Sequence, residues 1–258
     1  LASALEKIPG VEEREFNDTG KIEFQDGRTL NNYAYQAHGG IDLQDGYRVS
    51  SNVVFGTLAM ELGNDKLKET AEAFGFNSVV EGPGVTITAS RFPTLDSSEQ
   101  GNIAQSGIGQ GAVLSTPMQM ALVAATVAND GVMMTPKLVN KVVDSEQNTV
   151  KNVDSKELKD VIKAEDAQTI KDYMKYLIDN NLYRWPDFEG TNAGGKTGTA
   201  DYTLPDGTEA VPHAWFISAA PMDDPQVAVA VIVENGENGA GIAAEIAARV
   251  VRQAVLGY

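Results

Sequence analysis

The run Gln226-Val-Ala-Val-Ala-Val-Ile-Val-Glu234 limits the fold more than any other feature. Alternation at the strand period places Val227, Val229, Val231 and Val233 on one face. Two further strands precede it, from about Gly194 to Tyr202 and from about Val211 to Ala219. The turn Leu204-Pro205-Asp206-Gly207 joins these two, and Pro221-Met222-Asp223-Asp224-Pro225 leads into the third. Connections this short force antiparallel pairing, because parallel strands need a crossover of a dozen residues or more. A closing helix from about Gly241 to Leu256 places Ile242, Ile246 and Val250 on one side.

Upstream of this sheet the pattern is mixed. Residues 8–49 are rich in Gly, Asn and Asp and read as hairpins and loops, followed by a helix from about Ser50 to Leu62. Residues 75–114 read as an irregular stretch of the kind that lines a cleft. A helix then follows, capped by Ser115 or Thr116 with Pro117 in its first turn, where a missing N–H costs nothing. Met118 to Val127 is apolar around most of its circumference, which predicts a buried central helix. A second helix from about Glu165 to Asn180 lines up Ile170, Tyr173, Met174, Leu177 and Ile178. The expected fold class is α/β: an α+β sandwich with an antiparallel sheet flanked by helices. It forms a single domain over residues 1–258, within which residues 50–130 make a mostly helical subdomain. No internal repeat is evident. Leu1-Ala-Ser-Ala-Leu-Glu6 reads as the interior of a helix without a cap, so a preceding segment is expected.

Composition removes several function classes. The net charge of −16, from 20 basic and 36 acidic residues, repels nucleic acid and anionic lipid. The absence of cysteine removes disulfides, thiolate metal sites and a thiol nucleophile within this segment. With His38 and His213 as the only histidines, no metal centre and no cofactor is expected. No apolar run approaches the ~20 residues that span a bilayer.

Two clusters carry chemistry. In Lys196-Thr197-Gly198-Thr199, preceded by Gly194-Gly195, small residues leave the backbone open to a ligand. The lysine and two threonine hydroxyls would hold a carboxylate; the bland alternative is an exposed strand lysine. Ser50-Ser51-Asn52 lies at the predicted start of a helix, where Ser and Asn are ordinary caps. Its functional reading makes Ser50 a proton relay and Asn52 an amide-binding group facing the lysine. Three weaker signals carry little: Gly107-x-Gly109-x-Gly111 lacks the strand and helix of a dinucleotide site, and Asp42-Leu43-Gln44-Asp45-Gly46 reads as a turn rather than a calcium loop. His213 reads as a packed or surface residue.

Together these residues resemble the penicillin-binding proteins and related serine β-lactamases, whose second and third motifs are Ser-x-Asn and Lys-Thr-Gly. Gly107-Ile108-Gly109-Gln110-Gly111, Ser115-Thr116-Pro117-Met118-Gln119-Met120-Ala121, Asn129-Asp130-Gly131-Val132 and His213-Ala214-Trp215-Phe216 extend the likeness over nearly the whole chain. It is strongest to the monofunctional, class B type of Gram-positive bacteria, actinobacterial in particular. The resemblance implies a peptidoglycan D,D-transpeptidase that takes D-Ala–D-Ala stem peptides and is acylated by β-lactam antibiotics. It implies proton transfer by Ser50 and Lys196 and substrate binding by Asn52, Thr197, Gly198 and Thr199. The backbone N–H of Thr199 would form half of an oxyanion hole. It further implies work at the outer face of the cytoplasmic membrane, beside other cell-wall synthesis proteins.

One departure matters as much. The family's first motif, Ser-x-x-Lys, supplies the nucleophile and its base, yet no serine here has a lysine three residues on. A hydroxyl without an adjacent base is a poor nucleophile. The expectation is a transpeptidase domain inactive by itself, whose serine comes from a missing segment or chain. A β-lactamase or D,D-carboxypeptidase of the same fold, or a catalytically dead module binding peptidoglycan or β-lactams, remains the alternative.

Overall fold

A computed structural model describes all 258 residues. Its main sheet has three antiparallel strands in chain order, Gly194–Ala200, His213–Ala220 and Val227–Val233. Thr197 sits opposite Phe216, and Phe216 opposite Val231. The four valines of the last strand therefore share a face with Phe216 and pack towards the core. Phe216 is fully buried, its ring 5.5 Å from Trp185 and 5.7 Å from Phe188. Sequence periodicity was enough to set this sheet.

Seven α-helices surround it: α1 (Ala2–Lys7), α2 (Leu43–Val49), α3 (Asn52–Ala73), α4 (Gln100–Gly107), α5 (Pro117–Ala128), α6 (Ala164–Asp179) and α7 (Ala244–Leu256). Helices α5 and α7 pack on the central and last strands, and α6 on the Lys196 strand. As expected, α6 buries Ile170, Tyr173, Met174, Leu177 and Ile178. Thr116 is the cap of α5, its hydroxyl accepting from the Gln119 N–H at 3.1 Å.

Five expectations need correction. Residues 43–49 form α2 rather than loop: Asp42 is its N-cap, accepting from the Asp45 N–H at 2.7 Å, so Asp42–Gly46 opens a helix. The next helix starts at Asn52, not Ser50, and runs past Leu62 to Ala73 through a break at Gly63. The stretch 75–114 contains a hairpin, Val80–Gly82 with Val85–Ile87, and α4, whose two glycines and polar residues mask its period.

The remaining two concern which side of a helix is inside. Helix α5 is not buried all round; Met118 is exposed and Met120–Val123 are half-buried. Its buried polar side chain Gln119 instead donates to the Phe74 carbonyl at 2.6 Å and closes the end of α3. Ile242, in the turn before α7, and Ile246 and Val250 on it face outward, while Ala244, Ala247, Ala248 and Val251 are buried. Small side chains let α7 approach the sheet beneath the Trp185–Phe188–Phe216 cluster. Two apolar stripes competed, and volume decided between them.

Candidate active site

Lys196 stands on the free edge of the sheet, where its strand is bonded on one side only. The Thr197 carbonyl accepts from Lys196 Nζ at 3.2 Å and the Thr199 carbonyl from Gln110 Nε2 at 2.9 Å. Both carbonyls thus point away from the neighbouring strand. Within an antiparallel strand a residue's N–H and C=O point to the same side. The N–H groups of Thr197 and Thr199 therefore also face outward, as an anion site requires.

Across from this edge lies the junction of α2 and α3. Ser50 closes α2 in the left-handed region (φ 57, ψ 48), a conformation that costs a non-glycine residue about 1–3 kcal/mol. It is enforced from both sides: the Ser51 N–H donates to the Gly46 carbonyl at 2.9 Å, and the Ser51 hydroxyl caps α3 by accepting from the Val54 N–H at 3.0 Å. The bend turns Ser50 out of both helices and onto Lys196, whose Nζ donates to its Oγ at 2.8 Å. The strain is held at the motif itself.

Two further contacts define the lysine. Its Nζ lies 3.3 Å from Thr197 Oγ1 and 5.5 Å from the ring centroid of Tyr47 on α2. Tyr47 is buried, and its own ring packs 6.1 Å from Tyr173 of α6. Loss of water around the amine lowers the Lys196 pKa from 10.5 to about 8. Near neutral pH it is then a cation close to its titration point, suited both to hold a carboxylate and to pass a proton.

This shift has a measurable consequence. The Lys196 amine is expected to titrate near pH 8 in an NMR titration of the 13C-methylated protein, and near 10.5 after unfolding. Because the folded-state value is the lower one, this group favours the folded chain increasingly as pH rises from about 8 towards 10.5. Its attraction for a carboxylate fades over the same rise. A midpoint close to 10.5 in the folded chain would remove the desolvation argument.

Asn52 is the first residue of α3, half-buried, with Nδ2 donating to the Asn31 carbonyl at 2.6 Å. Gly198 is opposite Trp215, and the turn before α7 presses on both. A Cβ on Gly239 would overlap the Trp215 and Gly198 carbonyl oxygens and come within 2.7 Å of the Gly198 nitrogen. Gly239→Ala should therefore cost about 1–3 kcal/mol in urea unfolding, because packed backbone cannot yield freely.

The predicted residues Ser50, Asn52, Lys196, Thr197, Gly198 and Thr199 thus lie on two facing elements. His213 is not among them: it pairs with Ala200, one position beyond Thr199, and is stacked 4.5 Å from Tyr202 with Nδ1 accepting from the Asn235 N–H at 3.2 Å. Sequence reasoning missed Tyr47, because α2 was not recognised. It also missed the side chain of Gln110, which reaches the Lys196 strand from a glycine-flanked loop. Asp42 as a cap was the available signal for the first; nothing local signalled the second.

Comparisons with known proteins point to one family. The profile of the penicillin binding protein transpeptidase domain matches residues 8–252. A peptidoglycan D,D-transpeptidase, PbpA of Mycolicibacterium smegmatis, is 34% identical over 196 residues, covering 76% of this chain and 39% of that protein. Stage V sporulation protein D of Bacillus subtilis is 30% identical over 269 residues, covering 99% of this chain and 40% of that one. The ceftriaxone acyl-enzyme structure of penicillin-binding protein A from M. tuberculosis matches with a TM-score of 0.90 at 28% identity, covering 98% of this chain and 58% of that one. The chain spans about two fifths of the length of these two curated relatives.

Proposed function

Because the chain belongs to the penicillin-binding protein transpeptidase domain family, we propose that it forms the substrate-binding and proton-transfer part of a peptidoglycan D,D-transpeptidase whose nucleophilic serine lies outside these 258 residues. The observation that carries this reading is the Lys196–Ser50 contact of 2.8 Å beside the outward-facing amides of Thr197 and Thr199.

In this reading the terminal carboxylate of a D-Ala–D-Ala stem peptide rests on Lys196 and the hydroxyls of Thr197 and Thr199. The Asn52 amide holds the peptide bond next to the reacting one, and Gly198 leaves room for the substrate backbone. A serine attacks the penultimate carbonyl, and the Thr199 N–H stabilises the developing oxyanion, an interaction worth about 3 kcal/mol in comparable enzymes. The base beside that serine takes up its hydroxyl proton, and Ser50 and Lys196 pass a proton to the nitrogen of the departing D-alanine as the peptide bond breaks. An amine from a second stem peptide then takes the acyl group and completes the cross-link. In this reading a β-lactam acylates the same serine; the M. tuberculosis relative forms a ceftriaxone acyl-enzyme complex.

No helix of the chain is long and apolar enough to cross a membrane. The proposed place of action is the outer face of the cytoplasmic membrane, reached through an anchor and cell-wall synthesis partners outside this segment. The missing Ser-x-x-Lys motif also favours a second reading, a module that binds peptidoglycan without reacting.

Incubating the whole gene product with a stem pentapeptide ending in D-Ala–D-Ala and a second stem peptide as amine acceptor, and separately with benzylpenicillin, separates these readings. Cross-linked product is expected. Release of D-alanine alone would indicate a carboxypeptidase, rapid β-lactam turnover a β-lactamase, and binding without product the inert module.

A further inference from the structure

Asp18 is 1% exposed, and all its partners are neutral. Its Oδ1 accepts from the Gly20 N–H at 2.8 Å, and both oxygens lie 2.8 Å from Asn32 Nδ2. Its Oδ2 accepts from the Ser51 hydroxyl at 2.6 Å. A carboxylate without a cation is costly to bury unless hydrogen bonds replace its water. Four such contacts do so here.

These bonds leave their donors no freedom. The Ser51 hydroxyl has one proton, spent on Asp18, so its lone pair must take the Val54 N–H. The Asn32 amide nitrogen is fixed by the same carboxylate and by the Gln36 carbonyl at 2.8 Å, so its Oδ1 faces the Val53 N–H at 3.2 Å. Val53 and Val54 carry two of the unpaired N–H groups at the start of α3. One carboxylate thus orients both caps. Between them they set the position of Asn52 and the left-handed bend that turns Ser50 onto Lys196.

We propose that Asp18 is a positioning residue for acyl transfer, acting through Ser51 and Asn32 to hold Ser50 and Asn52 against Lys196. The proposal rests on the roles given to Ser50 and Lys196 above. Asp18→Asn keeps the shape but presents protons where the carboxylate accepted them. Either Ser51 or Asn32 must then turn, and one of the two caps is lost.

The test compares Asp18→Asn, Ser50→Ala and the double variant in the whole gene product. The first-order acylation rate by saturating benzylpenicillin is read on folded, active-site-titrated protein. Hydrogen exchange of the Val53 and Val54 amides is read in parallel. Asp18→Asn is expected to slow acylation on the order of 10- to 100-fold, as misplacement of a catalytic group by about 1 Å does. It should add little on top of Ser50→Ala, and exchange at Val53 or Val54 should rise. An unchanged rate, or a loss that simply adds to that of Ser50→Ala, would overturn the proposal. If Ser50→Ala itself leaves acylation intact, the role of Ser50 is wrong; unchanged exchange in Asp18→Asn then refutes the positioning role independently.

Discussion

Replacing Lys196 by alanine is expected to slow acylation of the whole gene product by benzylpenicillin about a thousandfold, while the thermal midpoint changes little. The size follows from positioned proton transfer, typically 10²–10⁴-fold. Lys196 meets the conditions for it: its amine is 2.8 Å from Ser50 Oγ, and its pKa is lowered to about 8. Lys196→Arg sharpens the test. A guanidinium keeps the positive charge but does not release its proton in proteins. If the lysine served only as a charge, arginine would restore most of the rate. The proposed role requires that it does not.

The second large effect is on stability. Phe216→Ala should destabilise the fold by about 3–5 kcal/mol, read as a lower urea midpoint with an unchanged slope. Phe216 is fully buried between Trp185 and Phe188, and Gly195 makes room for it: a Cβ there would come within 2.6 Å of the ring. No small shift can fill the cavity left behind, because α7 already rests on alanines at closest approach. Since a domain of this kind holds only about 5–15 kcal/mol in total, the variant should lie near the limit of folding. A loss below about 1 kcal/mol would mean that the cluster does not anchor the sheet.

These two residues also show what a sequence can reveal. Lys196 and Phe216 lie on strands whose connecting turns made the antiparallel pairing readable directly, whereas the free edge at Lys196 emerged only in the structure. The cap at Thr116 and the buried side of α6 were readable for the same reason: each depends on residues within one or two turns. Ser50 is a different case. Its motif was visible, but its left-handed bend comes from Gly46, Ser51 and Val54 acting together, and from a helix, α2, too short to show a period. Asp18 and Asn32 lie further beyond reach. Their roles depend on contacts 33 and 21 residues away in the chain, which no local pattern encodes. The exposed side of α7 was misjudged because apolar spacing says which residues share a side, not which side is covered.

On the proposed reading these 258 residues supply the binding and proton-transfer groups but not the nucleophile. Intact-mass measurement with and without benzylpenicillin tests it most directly, on this 27.5 kDa chain and on the whole gene product. No adduct is expected on the chain alone, and one penicilloyl group is expected on the whole product, on a serine outside these residues. An adduct on the chain alone, at Ser50 or any other serine within it, would contradict it.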